Sequence, residues 1–293
     1  MTSPPTLGGL VDQAARRLKA AGIDGARLDA RLIVGHAARL EPAALLARSA
    51  EMAGADVVDH VEEMVKRREN RQPMAQILGQ REFWSLPFRV TRDTLIPRPD
   101  SETLIMAALD WAERAERKER ALRVLDLGTG TGCLLLSLLS EWPAATGIGV
   151  DVDPAVIEVA GQNARDLELS DRARFVCTDW GDGLDEFFDV VISNPPYVPE
   201  GDLDGLEPDV VDFEPRLALC GGADGLDAYR ALSARIGRFL APGGAVFLEI
   251  GFGQASGVAD IMTVSGFGIF ARRRDLGGVV RCLAMARHAP VDC

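Results

Sequence analysis

Val124-Leu125-Asp126-Leu127-Gly128-Thr129-Gly130-Thr131-Gly132 decides the fold. A mostly apolar run enters a glycine loop, and Cys133 to Glu141 then has the composition of a helix. The reading is a strand over 123–127, a turn, and a helix over 133–141. Glycines permit positive φ and let a ligand approach the backbone. The spacing is G-x-G-x-G. A dinucleotide loop has G-x-G-x-x-G, and its last glycine would fall on Cys133. No Lys-Ser/Thr pair follows, so this is not a P-loop either. A pyrophosphate ligand is disfavoured.

Downstream, strand and helix patterns alternate. Strands are expected at 146–150, 174–177, 190–193 and 245–250, with two closing candidates at 267–271 and 278–285. Helices are expected from Pro154 to Leu167 and from Ala228 to Leu240, the second ended by Ala241-Pro242-Gly243-Gly244. Such alternation means a doubly wound α/β sheet.

Upstream, the pattern differs. Leu7, Leu10, Val11, Ala14, Ala15 and Leu18 share a helical face ended by Gly22. A second helix starts with Leu28, Leu32 and Ile33, and Pro42 opens a third. A fourth, with Asp56 as its cap, carries Val57, Val58, Val61, Met64 and Val65. Residues 1–75 thus read as a small helical domain, a partner platform or a packing domain. Residues 76–96 read as a linking strand pair around Ser85-Leu86-Pro87, and 97–293 as the large domain. Asp100 or Ser101 is expected to cap the helix that carries Leu104, Ile105 and Ala108.

Composition narrows the function. Net charge is −12. Residues 1–75 hold 11 basic and 10 acidic residues, so the rest carries the whole acidic excess. That is a poor match for a phosphate backbone. Five scattered cysteines without C-x-x-C read as reduced, mostly buried thiols, and three distant histidines argue against a metal site. No run approaches a membrane span, and Met1-Thr2-Ser3-Pro4-Pro5 does not resemble a signal peptide. A cytoplasmic monomer is expected, with neither membrane nor direct nucleic-acid binding.

Three further stretches complete the candidate site. Asp151 ends the second strand, where a carboxylate can accept from a ribose diol. Asp179-Trp180 follows the third strand and can bracket a purine, Asp179 as acceptor and Trp180 as stacking face. Together with the loop Gly128, Thr129, Gly130, Thr131 and Gly132, they suit a nucleoside without phosphates. S-adenosyl-L-methionine is the evident candidate. Asn194-Pro195-Pro196-Tyr197 follows an apolar strand. Two prolines force the chain to leave extended. Their carbonyls remain acceptors, Asn194 adds an acceptor and two donors, and Tyr197 adds a flat face. That set suits a planar group bearing an NH2. A plain Pro-rich turn is the alternative for these four residues taken alone.

In this order, the motifs resemble class I S-adenosylmethionine-dependent methyltransferases. The closer resemblance is to the release-factor glutamine methyltransferases, the HemK/PrmC family. It extends through Gln72-Pro73-Met74-Ala75-Gln76-Ile77-Leu78-Gly79, Arg81-Glu82-Phe83-Trp84, Leu95-Ile96-Pro97-Arg98-Pro99, Glu214-Pro215-Arg216-Leu217-Ala218-Leu219, Gly225-Leu226-Asp227 and Leu248-Glu249-Ile250-Gly251. The resemblance implies a Rossmann-like methyltransferase sheet. It implies methylation of the glutamine N5 in the Gly-Gly-Gln motif of a class-1 peptide chain release factor, docked by the helical domain. Asn194, Pro195 and Tyr197 are then the catalytic candidates. With Pro196 they hold the substrate, and Asn194 also borders the cofactor. A methyltransferase for base amino groups would use the same pocket. Against it, residues 198–225 hold eight acidic residues and one basic residue, Arg216, and read as a solvated loop. A non-catalytic release-factor binding module is the third reading.

Overall fold

Thr6 opens the first helix because its hydroxyl can satisfy a free backbone N–H. In the computed structural model, which describes residues 4–117 and 119–288, Thr6 Oγ1 accepts from the Gly9 N–H at 3.1 Å. Helix α1 (Leu7–Ala20) is followed by α2 (Ala26–Ala38), α3 (Pro42–Ala47), α4 (Ala55–Glu69) and α5 (Met74–Leu78). Leu10, Leu18, Ile33, Met64 and Val65 form their shared core. Two expectations are corrected. Gly54, not Asp56, is the N-cap of α4, and Asp56 sits in the first turn, where the helix dipole favours a carboxylate. The buried stripe of α2 is Ala26, Ala30, Ile33 and Val34. Leu28 and Leu32 face outward, 61% and 36% exposed.

The second unit opens with a hairpin, β1 (Gln80–Phe83) and β2 (Leu86–Arg89). Trp84 and Ser85 turn it with φ of 51° and 59°, both left-handed as a two-residue hairpin turn demands. A single turn over Pro99–Ser101 leads into α6 (Glu102–Arg114). Then come β3 (Arg123–Leu127), α7 (Cys133–Glu141), β4 (Thr146–Asp151), α8 (Pro154–Asp166), β5 (Ala173–Cys177) and β6 (Phe188–Ser193). Two short helices, α9 (Pro208–Val211) and α10 (Arg216–Leu219), precede α11 (Asp227–Phe239), β7 (Leu240–Glu249), α12 (Ala255–Val264), β8 (Phe267–Arg274) and β9 (Val280–Arg287).

Seven strands form one sheet in the order β5-β4-β3-β6-β7-β9-β8. Pairings from β5 to β7 are parallel, and β9 runs against both its neighbours. One core joins Leu104, Leu135 and Leu139 to Val124 and Phe247; the other joins Tyr229, Ile236 and Met262 to Leu125 and Val246. Alternate strand residues thus feed opposite faces, as a doubly wound sheet requires. From β3 the chain winds outward through β4 and β5, then returns to the other side of β3 with β6. Ligand crevices form at such a switch, beyond the carboxyl ends of the strands.

Two features depart from the sequence reading. Strand β7 begins at Leu240, the last residue of the expected helix, and runs through the expected turn at Ala241–Gly244. Its pairing with β6 jumps from Phe188↔Leu240 to Val190↔Ala245, an irregularity that Gly243, at φ 74°, permits. Helix α12 was not anticipated. Only Val258, Ala259 and Met262 are buried there, and Gly257 interrupts the pattern.

The first unit has a second piece. Glu207–Phe213, carrying α9, groups with residues 1–79 rather than with its chain neighbours. Arg68 holds it, pairing with Asp29 at 2.8 Å and Asp209 at 2.6 Å. The Gln76 amide donates to the Phe213 carbonyl at 2.8 Å.

Candidate active site

The register places the predicted residues. Asp126 pairs with Ile192 and Leu127 with Val150, so Gly128, Asn194 and Asp151 leave neighbouring strand ends on one edge. Ser193 Oγ ties two of those ends by donating to the Leu127 carbonyl at 2.6 Å. The glycine loop is bonded across β4: the N–H groups of Gly128 and Thr129 donate to the Val150 carbonyl at 2.9 and 2.8 Å. Gly130, at φ 55°, has open space where a Cβ would point. Gly132, at φ 80°, is the N-cap of α7, and a Cβ there would press on Phe175 and Leu136. The first glycine keeps the backbone approachable and the second lets the helix pack. Asn163 of α8 braces the loop from behind: its amide donates to the Thr131 carbonyl at 2.8 Å, and its oxygen accepts from the Arg89 N–H at 2.7 Å.

Asp151 accepts from the Gly130 N–H at 3.1 Å and from the Asp153 N–H at 3.3 Å. Burial raises its pKa, opposed by these backbone bonds. Each oxygen keeps a lone pair for a ligand hydroxyl. Trp180, at φ 46°, is half-buried, with its ring edge over Gly128. Asp179 is exposed and lies 3.4 Å from the Arg235 guanidinium, so its carboxylate already has a competing partner.

Pro195 is buried; Asn194, Pro196 and Tyr197 are half-buried. Asn194 Nδ2 donates to Ser101 Oγ at 3.3 Å, which leaves Oδ1 available. Ser101 therefore does not cap α6: its backbone is itself helical, and its hydroxyl faces the motif instead. The Tyr197 hydroxyl donates to Glu249 Oε1 at 3.4 Å. Gln254 clamps the following backbone, donating to the carbonyls of Tyr197 at 2.8 Å and Gly225 at 3.2 Å and accepting from the Gly251 N–H at 2.9 Å. The acidic stretch is not uniformly solvated. Glu214 is buried, ion-paired with Arg98, and accepts from the Ile96 N–H at 3.1 Å, which joins two separate sequence motifs.

Two carboxylates were missed as site residues. Asp126 is fully buried and accepts from Thr129 Oγ1 at 2.7 Å, while its Oδ1 has no partner. Burial pushes its pKa up to about 7. Glu249, at the end of β7, is pushed up to about 7 for the same reason. Each is an acid inside an apolar strand, Leu125-Asp126-Leu127 and Phe247-Leu248-Glu249-Ile250, and that break in the pattern was the available signal. Since the Asp126 pKa is raised on folding, the folded chain takes up a proton as pH falls from about 7 towards about 4 and the unfolded chain does not. The stability this contributes is present at the acid end and lost as pH rises through about 7. Urea denaturation is expected to show wild type losing more stability between about pH 6 and about pH 8 than Asp126→Asn does. Equal losses would refute the assignment.

Among the described residues there is no cluster of His, Cys, Asp and Glu that could hold a metal, and no helix is long and apolar enough to cross a membrane. The described cysteines are free, but only Cys282 is buried; Cys177 is exposed, and the expectation of mostly buried thiols is corrected. Cys293 lies outside the described residues.

The family model for the PrmC N-terminal domain matches residues 9–79, and that for a methyltransferase domain matches residues 118–248. The release factor glutamine methyltransferase of Rhodospirillum rubrum is 44% identical over 283 residues, 97% of this chain and 86% of the relative. That of Bradyrhizobium diazoefficiens is 38% identical, with 98% of each chain covered. Among solved structures, the hMettl16 catalytic domain, in complex with the MAT2A 3'UTR hairpin 6, aligns with a TM-score of 0.54 over 76% of this chain and 84% of that one. At 16% identity, that likeness concerns the fold alone. Identity of this extent over almost the whole length shows that the chain belongs to the release factor glutamine methyltransferase family.

Proposed function

We propose that this chain transfers a methyl group from S-adenosylmethionine to the side-chain N5 of the glutamine in the Gly-Gly-Gln motif of a class-1 peptide chain release factor. The observation that carries the reading is the position of Asn194 and Pro195 one strand from the glycine loop, with Asn194 Oδ1 left free by the bond from Nδ2 to Ser101. The residues present fit the cofactor. Gly130 leaves open space, Asp126 Oδ1 and Thr131 Oγ1 are buried without partners, and Asp151 can accept a diol. Gly128, Thr129, Gly130, Thr131, Gly132 and Asp151 would hold the amino-acid and ribose parts, with Asp179 and Trp180 at the adenine and Asn194 at the border. Bound there, S-adenosylmethionine supplies an electrophilic methyl group.

The chain's own residues do the aligning. An amide nitrogen is a weak nucleophile, so orientation matters most, worth roughly 7–11 kcal/mol in favourable cases. Asn194 Oδ1 and the Pro195 carbonyl accept the two amide hydrogens, turn the lone pair and stabilise positive charge growing on nitrogen. Pro196 keeps the backbone extended, and Tyr197 walls the side chain. No strong base is required, because a methylated amide cation is acidic.

The test is incubation with labelled cofactor and purified release factor, followed by mass mapping. Label on the Gly-Gly-Gln peptide supports the reading; label on RNA, or none, overturns it. The helical unit is proposed to dock the release factor, and exposed Leu28 and Leu32, one turn apart on α2, offer it an apolar face. A Leu28→Glu, Leu32→Glu variant is expected to lose about fivefold or more in kcat/KM on the whole release factor, the scale of losing interface anchors. A short Gly-Gly-Gln peptide is expected to be methylated as before. Equal losses on both would remove the docking role.

A further inference from the structure

Only 1% of the Glu214 side chain reaches solvent. Burying a carboxylate is costly unless it is paired, and apolar residues of similar volume often give as much stability as a buried ion pair. Position is then the stronger reason for an acid there. Both oxygens of Glu214 are used. Oε1 meets the Arg98 guanidinium, and Oε2 accepts from the Ile96 N–H at 3.1 Å. The stretch they hold, Ile96-Pro97-Arg98, belongs to no strand or helix. Pro97 and Pro99 have no N–H to tie it down, so Glu214 supplies what a sheet ladder would.

That stretch carries Ser101. The Ser101 N–H donates to the Arg98 carbonyl at 3.1 Å, closing the turn that leads into α6. Ser101 Oγ accepts from Asn194 Nδ2 at 3.3 Å. In the other direction, Glu214 leads through Pro215 into α10. The Leu219 carbonyl, at the end of α10, accepts from the Val198 N–H at 2.9 Å, and the Val198 carbonyl accepts from the Gly221 N–H at 2.9 Å. Val198 directly follows Tyr197. Bonds and chain therefore close a ring around the motif. It runs from Asn194 to Ser101, Arg98 and Glu214, then through α10 to Val198 and back along Asn194-Pro195-Pro196-Tyr197.

We infer that Glu214 is a positioning residue for methyl transfer: it fixes the turn that carries Ser101, and through Ser101 the direction of the Asn194 amide. The inference rests on the role proposed for Asn194. A half-buried amide is only as fixed as its partner, and Ser101 is only as fixed as the backbone behind it. Glu214 ties that backbone to the segment that holds the far end of the same motif, so both ends share one reference point. Small misplacements of an aligning group are costly in rate, which is why a residue without substrate contact can matter here.

The test uses the full-length enzyme, labelled S-adenosylmethionine and purified release factor. Glu214→Gln keeps the volume and an acceptor but drops the charge facing Arg98. It and Ser101→Ala are each expected to lower kcat about tenfold. Cofactor Kd by calorimetry and KM for the release factor are expected to stay within about twofold of wild type, a split that general loosening of the fold would not produce. Because both changes act on one amide, the double variant is expected to lose far less than the product of the single losses. If Glu214→Gln does not fold, Arg98→Gln takes its place with the same expectations, since Arg98 is the more exposed partner, at 35%. A folded variant at wild-type kcat, a matching loss of cofactor affinity, or losses that multiply with Ser101→Ala overturns the inference. A wild type that methylates no glutamine overturns the proposed function first, and this inference with it.

Discussion

Asn194→Ala is expected to lower kcat by roughly 10²–10³-fold, the scale of losing one preorganised polar group, with cofactor affinity almost unchanged. The side chain is half-buried, so truncation opens little space and the protein is expected to remain folded. What disappears is the Oδ1 acceptor that Ser101 orients. Asn194→Asp separates acceptor from donor. The new carboxylate still accepts from a substrate amide. It cannot donate to Ser101 as the amide does, and it adds a negative charge to the site. Its activity is expected to fall, but by less than that of the alanine variant. Single-turnover rates decide: a folded Asn194→Ala enzyme at near-normal rate would leave Pro195 and Tyr197 to hold the substrate alone.

Asp151→Ala is expected to weaken cofactor binding by about 1.5–3 kcal/mol, or roughly 10–150-fold, through loss of charge-assisted ribose bonds. The structure adds a second source of loss. Asp151 also accepts from the Gly130 N–H, so alanine loosens the loop itself. Asp151→Asn keeps one acceptor for Gly130 and removes the charge, so its smaller loss measures the ribose contribution. Calorimetry on both variants separates the two. Unchanged affinity in Asp151→Ala would sink the ribose assignment.

Much of this was legible because local patterns and global fold agree. The glycine loop sits between a short apolar strand and an apolar helix, and the strand–helix alternation downstream repeats that order. What escaped depends on distant partners. Ser101 has the identity of a cap, but only the fold shows that it faces Asn194. Leu28 and Leu32 fit a helical stripe, yet α2 buries Ala26, Ala30, Ile33 and Val34 instead, a choice that only its neighbouring helices decide. Glu249 reads as one more acid until β7 is seen to run through the core. Helix α12 buries too few side chains to announce itself.

The two-piece helical unit has a consequence for synthesis. A ribosome releases the chain from its amino end, so α1 to α5 emerge long before Glu207–Phe213. In that interval Arg68 has Asp29 but lacks Asp209, and Gln76 has no Phe213 carbonyl to bond. The unit is finished only after β6 has been translated. A gene fragment cut at Gly79 therefore encodes an incomplete module. Transplanting this unit onto another protein would require carrying the later seven residues with it.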